Sequence, residues 1–147
     1  MSCPKCGHPL VTLASEGLPP AALYHPWHVR NRAAVEAYVE TLAEETHEWL
    51  LALYVDDDLN LLSVHTIAKG SIGGCTVNLG HIFAQGSARG AAAYILVHNH
   101  PSGNATPSPQ DVFVTARLAR LSAELDMPLL DHFIVASGGV QSVNANW

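Results

Sequence analysis

The chain has 147 residues, enough for one domain with a real core, and 48% apolar against 14% charged residues excludes a disordered chain. Net charge is −6 with histidine counted neutral and no block of Lys or Arg occurs, which argues against a surface built to grip a nucleic-acid backbone. There is no apolar signal-peptide core at the start and no run as long as a membrane span, so a cytoplasmic protein without membrane contact is expected.

Residues 1–30 are rich in Pro and Gly without sustained periodicity and read as an irregular N-terminal arm. Cys3-Pro4-Lys5-Cys6 is half of a zinc ribbon or knuckle, and His25-x-x-His28 is a possible other half. The 18 residues between them are unlike a finger, so a plain terminus with two accessible thiols is preferred to a second, structural zinc at Cys3 and Cys6. Thiol redox chemistry comes third, because no thioredoxin-like context surrounds the pair.

Residues 31–147 read as the folded domain. Val35, Tyr38, Val39 and Leu42 recur at i, i+3, i+4 and i+7, which predicts an amphipathic helix within "NRAAVEAYVETLAEETH". "EWLLALYVD" and "LLSVHTI" flank the turn-rich "DDDLN" and predict an antiparallel hairpin. "CTVNL" reads as another strand, with Cys75 a small core residue, and a weaker helix follows near "HIFAQGSAR". "AAAYILV" is apolar on both faces, the pattern of a buried central strand. A helix is expected over "DVFVTARLARLSAEL" with Val112, Thr115, Leu118, Ala119 and Leu125 on its spacing. "LLDHFIV" is a further strand, and "SGG" turns into "VQSV". Strands interleaved with a few helices make an α/β or α+β layered domain.

His98 and His100 share one face at the end of the central strand, with Cα atoms ~6–7 Å apart in extended chain. Two imidazoles so placed can converge on one ion, and the loop after Pro101 can return Asp111 as a third ligand. Three N/O ligands and an open position are the composition of a catalytic zinc site, where bound water becomes acidic enough to act near neutral pH. A second reading fits the same residues. Ser108-x-x-Asp111 resembles a capping box with Pro109 at the first helical position, and histidines also end strands without any chemical role. Both stand at this point, and they are compatible. The H-x-E/P-C-x-x-C deaminase set and H-E-x-x-H are absent, which removes two rival zinc chemistries. His132 is read as packed with its tip hydrogen-bonded, ahead of a role in orienting the site, and Trp49 as packing.

The order His98-Asn99-His100-Pro101, then Ser108-x-x-Asp111, resembles the His-x-His-x7-Ser-x-x-Asp signature of JAMM/MPN metalloproteases. "EWLLALYVD", "KGSIGGCTV", "AAAYILVHNHPSG" and "LLDHFIV", spanning about Glu48 to Ser142, resemble one branch of them, the RadC-like JAB domain. The resemblance implies a mixed β-sheet flanked by helices, with a cytidine-deaminase-like architecture. It implies one catalytic zinc held by His98, His100 and Asp111, with Glu48 as the general acid/base and Ser108 stabilising the oxyanion. The implied activity is a zinc metallopeptidase or isopeptidase acting on a peptide or protein. The alternative it carries is a zinc-stabilised accessory or binding module of DNA repair or mobile-element biology, without peptidase turnover. One departure is visible: where members commonly read Pro-Arg-Glu, this chain reads "NLGHIF", which touches substrate or partner contacts and leaves the metal residues alone.

Overall fold

The structure, a computed structural model, describes residues 12–13, 36, 39–69 and 79–143. Its strands are β1 (Thr12–Leu13), β2 (Trp49–Val55), β3 (Leu61–Lys69), β4 (Ala93–Asn99), β5 (Leu129–Ala136) and β6 (Gly139–Ser142). They form one mixed sheet in the order β1-β3-β2-β4-β5-β6. Helices α1 (Leu79–Ala88) and α2 (Pro109–Glu124) complete the described elements, with a 3₁₀ turn at Glu40–Glu44. The expected α+β layering is what the chain forms. Among the described residues no helix is long and apolar enough to cross a membrane.

Strand alternation divides the core into two layers. Leu50, Ala52 and Tyr54 of β2 meet Tyr94 and Leu96 of β4 under Ile82 of α1 and Leu118 of α2. Leu51, Leu53 and Val55 meet Ile95 and Val97 on the other face, covered by Val39 and Leu42. Burying each such Leu or Ile stabilises the fold by ~1.5–3 kcal/mol, so β2 and β4, buried along their whole length, anchor everything attached to them.

The hairpin between β2 and β3 is antiparallel, and Asp56 builds its turn. Its Oδ1 accepts from the amides of Asp58 (2.9 Å) and Asn60 (2.8 Å), which holds Leu59 at φ 63°. In the first predicted helix, Glu36 and Val39 are helical and the segment tightens into the 3₁₀ turn; Val35 and Tyr38 lie outside the described residues. Glu45 is already extended, because Glu44 and Glu45 at a helix C-terminus oppose the macrodipole. Leu79 opens α1 instead of closing a strand, and the rest of "CTVNL", Cys75 included, lies outside the described residues. So do Cys3, Cys6, His25 and His28; from the arm only Thr12 and Leu13 are described, paired in parallel with Ser63 and Val64.

Helix α2 buries Thr115 and Leu118 and packs Ala119 as predicted, but its inner face differs from the predicted one at both ends. Asp111, Thr115, Leu118 and Ser122 point inward, while Val112 and Leu125 are 51% and 57% exposed. The sheet beneath offers polar partners, His132 for Thr115 and the Tyr94 hydroxyl for Ser122, so hydrogen bonds set the rotation of the helix as much as apolar spacing does. Gly86 of α1 lies against Tyr54 and Met127; a Cβ there would stand 2.9 Å from Tyr54 Cε1, so this helix packs closely only with glycine.

Candidate metal centre

The site forms where β4 leaves the sheet. His98 pairs with Leu50 of β2 on one side and Ile134 of β5 on the other, so its backbone is fixed by both neighbours. The His100 amide still donates to Val135 O (2.8 Å), but Pro101 has no N–H to continue the ladder. The chain then turns at Gly103, at φ 90°, whose carbonyl accepts from Gly138 N (3.1 Å) in the β5–β6 turn. That docking brings the Asn104 carbonyl to His100 Nδ1, at 2.9 Å.

Helix α2 begins beside this strand end. Ser108 Oγ accepts from Asp111 N (3.0 Å), and Ser108 N donates to Asp111 Oδ2 (2.8 Å), a complete capping box with Pro109 in the first turn. The expected cap is present, and it aims Asp111 at the histidines. Asp111 is 4% exposed, with Oδ1 3.3 Å from His98 Nδ1 and Oδ2 3.2 Å from His100 Nε2. Glu48 enters from just before β2, with Oε1 3.4 Å from His98 Nε2. The structure thus brings Glu48, His98, His100 and Asp111 together and stands Ser108 at the adjoining helix start. One donor atom each from Glu48, His98 and His100 lie within 4.8 Å of one another, a group able to hold a metal ion.

Electrostatics pull the same way. Burial pushes the Asp111 carboxyl up, but hydrogen bonding from His98 and the Ser108 amide, with the His98 charge, holds it well below the usual carboxylate range. His132 is pushed down to about 3 by burial and the neighbouring His98 and His100, against the opposing pull of Asp111, and is a neutral imidazole. Thr115 Oγ1 donates to the Asp111 carbonyl (2.6 Å), so it accepts from His132 Nδ1 (2.6 Å). His132 bonds through Nδ1 while its Nε2 is buried without a hydrogen-bond partner, so the tip read as hydrogen-bonded is satisfied on one nitrogen only; through Thr115 it also tethers the first turn of α2 to β5. Trp49 is buried in the core layer opposite α1 and α2.

The donor set fits a cation. His100 Nδ1 can contact the Asn104 carbonyl only as an N–H, so in a neutral ring Nε2 turns its lone pair toward Asp111 Oδ2. His98 faces carboxylates with both nitrogens, and a neutral ring has one N–H for the two of them. Its Nε2 is buried without a hydrogen-bond partner. Lone pairs opposed across buried contacts need a positive charge between them, a proton or a metal ion. These contacts use both nitrogens of His98 and both oxygens of Asp111, so an ion taken up here would replace some of them rather than sit among all three.

Comparison with known proteins points to one family. The family model described as the RadC-like JAB domain matches residues 29–146, and the chain belongs to that family. Among similar proteins are UPF0758 proteins of Chloroflexus aggregans, Pseudomonas fluorescens and Trichodesmium erythraeum. The first is 40% identical over 62% of this chain and 40% of its own length. The second is 36% identical over 86% of this chain and 54% of its own, and the third 39% identical over 73% and 44%. The chain thus spans about half the length of the curated relatives it matches.

Sequence reasoning missed two members of this arrangement. Thr115 was legible only as a helix-spacing residue. Asn99 was passed over as the letter between two histidines, although a buried amide (1% exposed) is itself a signal that backbone partners exist.

Proposed function

We propose that the chain is a zinc-dependent hydrolase of amide or isopeptide bonds, with His98, His100 and Asp111 holding the ion, Glu48 moving protons and Ser108 binding the carbonyl oxygen. The observation that carries this is a second carboxylate, Glu48 Oε1, 3.4 Å from an imidazole that Asp111 already contacts. Glu48 could itself be a donor to the ion, but with Asp111 as the carboxylate ligand it is left to manage protons, which hydrolysis needs. Zinc there supplies a Lewis acid and lowers the pKa of a water it binds from 15.7 towards ~7.

The residues divide the rest of the work. The Glu48 carboxylate takes a proton from the attacking water and returns it to the amine nitrogen as the C–N bond breaks, so it ends each cycle ionised as it began. Ser108 Oγ spends a lone pair on the Asp111 amide, which leaves its hydroxyl proton for the carbonyl oxygen as that oxygen gains negative charge. Asp111, held ionised by its surroundings, balances the positive charge of the centre.

The rival reading is a zinc-stabilised accessory module without turnover, and Glu48→Gln separates the two. A hydrolase variant keeps one zinc per chain and its unfolding midpoint, but releases new amines from a proteome-derived peptide library ~10²–10⁴-fold more slowly. Equal amine release by Glu48→Gln and the parent, or none by the parent, sinks the hydrolase reading.

A further inference from the structure

Asn99 stands between two histidines of the centre but on the opposite face of the strand, because neighbouring residues of a strand alternate. Its side chain does something specific there. Trp49 N donates to Asn99 Oδ1 (2.6 Å), and Asn99 Nδ2 donates to His47 O (2.8 Å). The two backbone groups lie on either side of Glu48, and they are 50 and 52 residues away along the chain.

The backbone ladder between β2 and β4 ends at Leu50 and His98. One step further, the Asn99 amide takes over the role of a neighbouring strand's peptide group, accepting from residue i+1 and donating to residue i−1 of the acid. An N–H and a C=O of this kind point to the same side of an extended chain, so a single planar amide can serve both. Residues 45–48 have no regular element of their own to hold them. We infer that Asn99 is a positioning residue that fixes the backbone of Glu48 against the strand carrying His98 and His100, so that acid and imidazoles share one rigid frame. This rests on the hydrolase reading for its catalytic consequence, though not for the clamp itself. A displacement of about 1 Å in a reacting group can cost on the order of 100-fold in rate, which is the scale of the effect at stake.

The chemistry of Asn is specific to this place. Asp keeps an acceptor for Trp49 N–H but turns a second acceptor toward the His47 carbonyl, and Ala keeps neither contact. The test compares the zinc-loaded parent chain, Asn99→Ala, Asn99→Asp and Glu48→Gln. Amide hydrogen exchange at Trp49 should rise at least tenfold in Asn99→Ala while Leu51–Val55 stay protected, and the ¹⁵N heteronuclear NOE of the Glu48 amide should fall. Zinc stoichiometry should stay at the parent value in every variant, and peptide-library amine release should drop 10- to 100-fold in kcat with KM little changed. Asn99→Asp should fall between parent and Ala, and it carries the test if Asn99→Ala does not fold. Unchanged Trp49 exchange and Glu48 NOE overturn the clamp. A loosened Glu48 with undiminished amine release overturns its catalytic consequence. A parent that releases no amines refutes the hydrolase reading instead, and exchange and NOE still decide the clamp.

Discussion

The two halves of β4 teach more about this molecule than either does alone. Ala93–Val97 and His98–Asn99 lie on one continuous strand, between the same two neighbours, and both are buried. In the first half the side chains pack on apolar surface, apart from the Tyr94 hydroxyl that meets Ser122; in the second each meets a polar group brought from another element. The shared backbone makes the second half precise, because six consecutive pairs with β2 fix where His98 begins. Rigidity comes from the apolar half, and chemistry is confined to the few residues beyond it.

The largest expected effect tests that division at its polar end. His98→Ala with Asp111→Ala should abolish stoichiometric zinc binding, read by metal analysis of the purified protein, while leaving the sheet intact by circular dichroism. Retention of one zinc per chain would move the centre elsewhere. At the apolar end, Leu96→Ala should lower unfolding free energy by ~2–5 kcal/mol, since Leu96 is fully buried between α1 and α2. It should keep its zinc in the folded fraction, and loss of the metal at full folding would break the distinction.

Acid should weaken the polar end first. His132 ordinarily titrates near 6.5 and is held down to about 3 in the fold, so the unfolded chain binds the extra proton. Its contribution is therefore fully present above pH 6.5 and falls away as pH drops towards 3. The slope is about 1.4 kcal/mol per pH unit across that window. His65, buried beneath α1 and lowered to about 4 by burial with Arg89 and His81, acts in the same sense over a narrower range. Urea midpoints between pH 7 and pH 5 should fall less steeply in His132→Gln than in the parent; parallel slopes would remove His132 from the account. The smallest effect belongs to Ser108→Ala, which deletes one half of the capping box and should cost ~1 kcal/mol of stability. A loss of several kcal/mol would mean that Ser108 holds more than the start of α2.

Much of this was legible before any coordinates. The hairpin announced itself in the run of Asp residues, β4 in its unbroken apolar stretch, and the α2 cap in Ser108-Pro109-x-Asp111, because each signal is local. What stayed hidden depends on partners distant in sequence. Val112 and Leu125 fit a helical apolar stripe yet face outward, since His132 and Tyr94 claim the inner face through Thr115 and Ser122. Asn99 means nothing until His47 and Trp49 lie beside it. Glu48 was reached through family resemblance, and among Glu44, Glu45 and Glu48 the coordinates place only Glu48 against His98.

The span between Glu48 and its partners also has a consequence in time. During synthesis Glu48 and β2 emerge about fifty residues before His98, and Asp111 follows later still. No local hairpin can assemble this centre; it waits for β4 to dock on β2, a pairing of high contact order and correspondingly late closure. A nascent chain cut short after α1 would carry the acid with none of its imidazoles. Capture of a metal ion by this group would in that sense check completed folding.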